Sequence, residues 1–266
     1  MELIVAENLF LGVCFRTAIA LVLWPMMAAA QNSQIEQKVD PGALAALDRM
    51  GNTLRSLQHF SIRSDTSSET VMDTGEKVQF NGVVNYLVQT PDKLFVDVRT
   101  DRRHRQFYFD QGVLTVYAPN LKYYASTDRF GRTLADALVG AADNYGLDFP
   151  LEDLFFWGTP YVSADALTSA EYIGEGRLDG ELVRHYSFRQ PGIDWQLWLS
   201  STTSLPKRLV ITSLSDPALP QYSATLHWDT DKISEQGRFE FSPPKDAVRI
   251  QLAQVSGADP QRGAGR

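Results

Sequence analysis

The chain has 266 residues, of which 44% are hydrophobic and 21% charged, with a net charge of −7 and a sequence pI of about 5.1. A chain of this length can bury a substantial core, and its composition excludes an intrinsically disordered chain and a protein with many membrane spans. The excess of acidic over basic residues argues against a nucleic-acid-binding protein, which needs a basic face. The composition therefore predicts a soluble, acidic, globular protein.

The first 30 residues predict a secretory signal peptide. Arg16 precedes an apolar run over residues 17–30, and this run ends in three alanines that satisfy the Ala-x-Ala cleavage rule. Cleavage near Ala30 leaves a polar leader over residues 31–39. We therefore expect an exported protein in the periplasm.

Two other interpretations of the amino terminus stay open. The first is an uncleaved membrane anchor over residues 3–30, although it would place the charge of Arg16 inside the bilayer at a considerable cost. The second is a lipoprotein modified at Cys14, although the valine before it is larger than such sites prefer. Because Cys14 is the only cysteine, a chain cleaved after Ala30 retains no thiol for a disulfide, a nucleophile or a metal site.

The mature chain begins with a predicted amphipathic helix and continues with strands. The pair Asp40-Pro41 is a typical helix start, and apolar residues recur behind it at helical spacing, which predicts a helix over about 41–57. From residue 58 the apolar residues alternate, and turn sequences separate the runs. This pattern predicts six strands in an antiparallel meander up to a last strand at Leu121–Tyr123.

A helical insert over residues 133–158 separates the two groups of strands, and its glycines, Gly140, Gly146 and Gly158, predict hinges. Five further strands are predicted after it, near 170–178, 181–189, 193–200, 207–213 and 221–229. Eleven strands with few helices predict a mainly β (α+β) fold, an open half-barrel of about eleven antiparallel strands with helices covering the concave face. We expect one domain over residues 40–252 and a disordered tail over 253–266.

Three segments resemble the LolA-like superfamily of periplasmic lipoprotein carriers. The run FEFSPPKDAV (239–248) resembles that family's closing F-x-F-x-P-P-x-x-x-V segment. The run DQGVLTVYAP (110–119) resembles its D-G-x-x-L-W-x-Y-x-P hairpin, with the glycine one place late and Thr115 in the place of Trp. The run TPDKLF (90–95) is similar to the start of one of its strands. Within this superfamily, the chain resembles a bacterial domain-of-unknown-function family of predicted periplasmic proteins.

The resemblance implies an open antiparallel barrel with a helical lid and an apolar concavity that holds acyl chains. No cofactor is expected, because the sequence carries no cofactor signature. The residues with which the carriers contact their partners have no match in this chain, so the resemblance assigns no partner protein. Alternation along the predicted strands and the apolar stripe of the insert assign the candidate ligand-binding residues: Phe80, Val84, Tyr86, Leu94, Val96, Phe107, Phe109, Leu114, Val116, Trp195, Leu197 and Leu226 on the strands, with Leu134, Leu138, Phe155 and Trp157 on the lid.

The sequence carries no signature of catalysis or metal binding. The four histidines lack the spacing of a helical zinc site, and the nucleophile elbow, the P-loop and the dinucleotide-binding motif are all absent from the sequence. A cluster of four arginines around His104 predicts either a spot that contacts lipid headgroups or an acidic partner, or a solvated hairpin tip. These arginines are Arg99, Arg102, Arg103 and Arg105.

The favoured hypothesis is a monomeric, non-catalytic periplasmic protein that binds lipids, lipoproteins or another amphiphile. The alternatives are an envelope sensor or protein-interaction module of the same fold and, third, a hydrolase. If the helices fill the concavity, the assigned residues are simply core. Trp195 and Trp198, three apart on one strand, are predicted to point to opposite faces of the sheet.

Overall fold

The computed structural model describes residues 39–127, 130–131, 133–147, 149–162, 164–231 and 238–253. The predicted signal peptide, the polar leader up to residue 38, and residues 254–266 of the predicted tail lie outside these ranges. Within the described ranges, no helix is both long and apolar enough to span a membrane.

Three α-helices and twelve strands make up the described fold. The helices are α1 (Pro41–Ser56), α2 (Leu134–Tyr145) and α3 (Glu152–Phe156), followed by a 3-10 turn (Ala164–Ala166). The strands are β1 (His59–Val71), β2 (Lys77–Gln89), β3 (Lys93–Thr100), β4 (His104–Asp110), β5 (Val113–Ala118), β6 (Tyr123–Ser126), β7 (Ser169–Leu178), β8 (Glu181–Gln190), β9 (Ile193–Ser200), β10 (Pro206–Ser213), β11 (Gln221–Asp229) and β12 (Val248–Arg249).

All twelve strands form one sheet in the order β12-β6-β5-β4-β3-β2-β1-β11-β10-β9-β8-β7. The chain therefore meanders outward from β1 to β6, crosses to the opposite edge at β7, and meanders back until β11 pairs with β1. Because β12 and β7 are edges that do not pair with each other, the sheet is open rather than a closed barrel. This arrangement confirms the predicted mainly β half-barrel.

The structure corrects the predicted strands in two places. A twelfth strand, β12, pairs in parallel with β6, so the sheet is not antiparallel throughout and has one strand more than expected. The predicted strand at Leu121–Tyr123 is β6 and begins only at Tyr123, because Lys122 has a positive φ of 58° and belongs to the preceding turn. A residue with a positive φ interrupts the extended backbone of a strand, and the pattern of apolar residues in the sequence gives no sign of it.

Helix α1 begins where the sequence predicts. The Asp40 carboxylate accepts a hydrogen bond from the backbone N–H of Gly42 at 2.8 Å, which caps the helix. The backbone N–H of Asp40 donates to the carbonyl of Ala170 at 2.8 Å, so the helix starts against β7. One face of α1 is then buried on the concave side of the sheet through Ala43, Ala46, Leu47, Met50 and Leu54.

The insert crosses the concave side from β6 to β7. Thr133 and Asp136 form a capping box at the start of α2, and Gly146 ends this helix with a φ of 62°, a left-handed conformation that favours glycine. Gly158 also has a positive φ, of 73°. Gly140 instead lies inside α2, where an added Cβ would be 2.5 Å from the Phe130 ring, so the expectation of a hinge there is wrong.

The carboxyl-terminal segment packs on the outer, convex face. Phe239 is buried with Leu87 and Phe95, and the Phe241 ring contacts three tyrosine rings. The motif that carries the family resemblance therefore closes the convex face of β2–β6 and does not line the concavity. The rings around Phe241 are those of Tyr108, Tyr117 and Tyr124, at centroid distances of 5.2, 5.4 and 5.0 Å.

Candidate functional site

The concave face of the sheet is a continuous apolar surface under the helices. Of the twelve strand residues assigned from the sequence, nine lie in the main buried core: Val84, Tyr86, Leu94, Val96, Phe109, Leu114, Trp195, Leu197 and Leu226. Phe107 is partly buried against this core, Val116 is buried outside it, and Phe80 is half-exposed at the rim. The structure thus brings most of the predicted face together, with Phe80 at its margin.

The lid residues contact the same core. Trp157 is buried in it, and Leu134, Leu138 and Phe155 are partly buried against it. The Phe155 ring stacks on Phe60 of β1 with centroids 5.7 Å apart, and Trp157 lies 6.3 Å from Trp195 of β9. The helices therefore occupy the concavity in this structure, and a ligand reaches the face only when the helices move.

Helix α3 is fixed to α1 at a point of close approach. A Cβ added to Gly51 would lie 2.8 Å from the Trp157 carbonyl oxygen, so only glycine allows the two segments to meet. The Arg55 guanidinium donates to the same carbonyl, and the Trp157 indole N–H donates to the Asp48 carboxylate at 3.3 Å. The end of the lid is thus held to α1 by polar contacts at its surface.

Polar side chains that sequence analysis missed also lie on the concave face. Ser64 is fully buried, and its hydroxyl has no hydrogen-bond partner among the described residues. Gln190 is also buried and accepts a hydrogen bond from the Trp195 indole at 3.2 Å. The alternation of β1 places Ile62 and Ser64 on one face, which could have indicated that Ser64 is buried. The many serines and threonines of this strand make that alternation hard to recognise in the sequence.

Two tyrosine hydroxyls face this interior. The Tyr86 hydroxyl donates to the Pro150 carbonyl at 2.7 Å, which joins β2 to the loop before α3. Burial raises the pKa of Tyr86 well above its ordinary value, and the nearby Tyr222 and Glu152 raise it further. Burial likewise raises the pKa of the Tyr222 hydroxyl. Both groups are therefore neutral hydrogen-bonding groups at any physiological pH.

These raised pKa values predict a loss of stability in alkali. A tyrosine whose folded-state pKa is raised contributes fully below its unfolded pKa of about 10, and the contribution is lost as the pH rises through the folded value. Between pH 9 and 12 we expect the urea midpoint of the wild type to fall more steeply than that of Tyr86→Phe. Tyr123→Phe, at an exposed position, should follow the wild type. Equal slopes for all three would contradict the burial of Tyr86.

The predicted arginine cluster is divided between the two faces. On the convex face, Asp97 is buried and accepts from His104 Nε2 at 2.7 Å and from Arg99 Nε at 2.8 Å. Arg102 instead lies over the ring of Phe80, 5.0 Å from its centroid, on the concave side. The four arginines are therefore not one cationic patch, because Arg99 is already paired with Asp97.

The convex side also carries the second tryptophan of β9. Trp198 stacks on His185 with centroids 4.0 Å apart, whereas Trp195 lies in the core on the other face. The prediction that these two tryptophans point to opposite faces of the sheet is therefore confirmed. Burial lowers the pKa of His185, which therefore favours the neutral ring. Within the described part of the chain, no three His, Cys, Asp or Glu residues are grouped so that they could hold a metal ion.

Several solved structures are similar to this chain in fold. The Mycobacterium tuberculosis lipoprotein LppX is 11% identical with a TM-score of 0.45, the match covering 73% of this chain and 98% of that one. LprF from Mycobacterium bovis is 12% identical with a TM-score of 0.45, covering 79% and 100%. A chain of the Pseudomonas aeruginosa MucA/MucB complex is 14% identical with a TM-score of 0.34, covering 76% and 61%.

The family is established by sequence. No curated protein matches the chain. A family model described as "Predicted periplasmic protein (DUF2092)" matches residues 43–253, which span all but the first two residues of α1, the whole sheet and the lid. This match confirms the family predicted from the sequence motifs and agrees with the predicted periplasmic location. The chain belongs to the DUF2092 family of predicted periplasmic proteins.

Proposed function

We propose that the protein is a non-catalytic binding protein that holds the acyl chain of an amphiphile between the concave face and its helices. The observation that carries this proposal is the construction of the core. One of its walls is an open sheet, and the other consists of the separate helical segments α1, α2 and α3. Such a core can exchange one apolar contact for another when a segment moves.

The energetics favour acyl chains. Each methylene group that leaves water for an apolar environment contributes about 0.8 kcal/mol, so a chain of about 16 carbons supplies on the order of 10 kcal/mol. Part of this free energy is offset by the loss of the contacts of the displaced lid. The lid side chains available for displacement are large and only partly buried, as Leu134, Leu138 and Phe155 are. A long apolar ligand is therefore the ligand class that the concave face fits best.

Titration of the purified protein with oleate, followed by tryptophan fluorescence, tests this proposal. Trp157 and Trp195 are buried against each other on the concave side, so separation of the lid from the sheet should change their emission in a saturable manner. Trp157→Phe should remove most of this change. Trp198→Phe, a matched substitution on the convex face, should preserve it. The absence of saturable binding in the wild type would refute the proposal.

A protein-interaction module is the second candidate, and the edge strand β7 favours it. Beyond Ala170, no strand in the described residues pairs with the outer edge of β7. Tyr172 and Ile173 on this strand are 46% and 51% exposed, and Leu182 of the adjacent β8 is 41% exposed. An exposed edge with apolar side chains can accept an additional strand from a partner. Co-purification of a stoichiometric protein without lipid would favour this candidate.

A further inference from the structure

The hairpin of β1 and β2 projects beyond the rest of the sheet. The two strands pair with each other out to Val71 and Lys77. On one side, however, β3 pairs with β2 only as far as Gly82, and on the other β11 pairs with β1 only as far as Ser68. Residues 69–80, which we call the arm, therefore extend past both neighbouring strands.

The concave side of the arm continues the apolar face of the core into solvent. Because side chains two apart share a face, Phe80 and Val78 lie on the side of the sheet that carries the buried Val84. Exposure rises along this series, from 0% at Val84 to 37% at Val78, and Met72 in the turn beyond is 47% exposed. The protein thus presents an apolar strip that begins in water and leads to the interior.

A cation lies at the point where the strip enters the core. The guanidinium carbon of Arg102, in the β3–β4 turn, is 5.0 Å from the centroid of the Phe80 ring. Arg102 is itself exposed. The neighbouring Asp101 carboxylate accepts a hydrogen bond from the backbone N–H of Asn81 at 2.7 Å, which partly compensates its charge. An anion that approaches along the strip therefore meets an exposed arginine in a protein whose net charge is −7.

Small residues form the floor directly behind Arg102 and Phe80. Gly82 pairs with Thr66, and Thr66 pairs with Ala224, which is fully buried. Even a methyl group at position 82 would lie 2.9 Å from the Thr66 hydroxyl, so this position accepts only glycine. In the next row, the buried Ser64 hydroxyl has no partner among the described residues. The floor at the inner end of the apolar strip therefore consists of small, closely packed residues, and an acyl chain passes beyond it into the core only when the helices move.

We propose that the arm and Arg102 form the entrance at which a single anionic amphiphile is captured, with its carboxylate or phosphate against Arg102 and its acyl chain over Phe80 toward the core. This inference rests on the proposed function, because it assigns the headgroup class and the entrance for the ligand held under the lid. Charged hydrogen bonds to a guanidinium are directional and favour carboxylate and phosphate oxygens. The apolar strip contacts the acyl chain of the same ligand.

Comparison of oleate with oleyl alcohol tests the role of the cation, because the two probes share a chain and differ in headgroup charge. The wild type should bind oleate more tightly. Arg102→Gln should weaken oleate binding about tenfold, which corresponds to 1.4 kcal/mol, and leave oleyl alcohol unchanged. Arg63→Gln removes an equal charge from the convex face and should change neither dissociation constant.

Stopped-flow measurement of oleate association tests the strip. The double substitution Met72→Ser and Val78→Ser shortens the exposed apolar track and should slow association several-fold without unfolding the protein, because both residues are exposed. Leu121→Ser removes an equally exposed apolar side chain from the turn between β5 and β6 and should leave the association rate unchanged. Equal rates for all three proteins would overturn the assignment of the entrance.

The two proposals fail in different ways. If neither oleate nor oleyl alcohol binds the wild type, the proposed function is wrong, and this inference with it. If both bind equally and Arg102→Gln has no effect, the protein is a binder but the entrance is wrong. The anion at Arg102 could also be a lipid headgroup in a membrane surface. Co-sedimentation with phosphatidylcholine vesicles containing phosphatidylglycerol distinguishes this source from a single amphiphile. A loss of vesicle binding in Arg102→Gln, with oleate binding intact, would assign the arginine to a membrane surface and overturn capture of a single amphiphile.

Discussion

Val84→Glu is expected to lower the free energy of unfolding by about 3–5 kcal/mol and to abolish oleate binding. Val84 is fully buried on the concave face, and its strand neighbours on either side are Ser64 and Val98, neither of which is charged. A carboxylate at this position would be desolvated without a partner, which is among the most destabilising changes that one substitution makes. Urea unfolding at pH 7 gives the change in stability.

The adjacent residue provides the control. Val83 lies on the convex face, where it pairs with Asp65 and Arg99 and is only half-buried. Val83→Glu introduces the same charge at the next position of the same strand, and we expect its effect on stability to stay within about 0.5–1 kcal/mol. If both substitutions destabilise the protein equally, the assignment of the concave face to even-numbered residues of β2 is wrong.

Gly51→Ala is expected to destabilise the protein by about 1–3 kcal/mol, although alanine is the better helix former. In an exposed helix, this substitution would stabilise by up to about 1 kcal/mol. Here the added Cβ would meet the Trp157 carbonyl oxygen at 2.8 Å, so the helix and the lid must separate or strain. Equilibrium unfolding in urea measures the sign of the change, and the sign alone distinguishes the two effects.

The loss of the α1–α3 contact should also appear locally. In Gly51→Ala, amide exchange of residues 149–157 should be faster, because this stretch is held to α1 through Arg55 and Trp157. Arg49→Ala, on the exposed face of the same helix, should leave both exchange and stability close to the wild type. Stabilisation by Gly51→Ala would show that the lid does not rest on α1 at this point.

Alternation and turn sequences were sufficient to predict most of this fold. The strands from β7 to β11 lie within one residue of the predicted limits, because turn sequences such as Asp179-Gly180 and Pro191-Gly192 separate their apolar runs. The start of α1 was equally clear, since an N-cap Asp40 followed by Pro41 at the first helical position is a local signal that does not depend on distant residues. The twelfth strand was not predictable. Val248–Arg249 is only two residues long and pairs in parallel, so it has no period of its own.

The candidate site was only partly predictable, for a related reason. Side chains two positions apart along a strand lie on the same face, and this rule assigned Val84 and Trp195 correctly to the buried face. It does not show which segment lies above that face. The close approach at Gly51 depends on residue 157, which is more than a hundred positions away in sequence. The division of the arginine cluster likewise depends on the buried Asp97, whose three donors come from two strands.

The central claim is that the helices over the concave face yield to an acyl chain, and amide hydrogen exchange with and without oleate tests it most directly. In the free protein, residues 149–157 should exchange faster than the central strands β1, β2 and β11, because the backbone hydrogen bonds of this stretch are those of a five-residue helix and short turns rather than of a strand ladder. Oleate should change the exchange of this segment and leave the exchange of β1 and β2 near its original rate. If the segment is as protected as the central strands and its exchange is unchanged by oleate, the lid is fixed core and the account is contradicted.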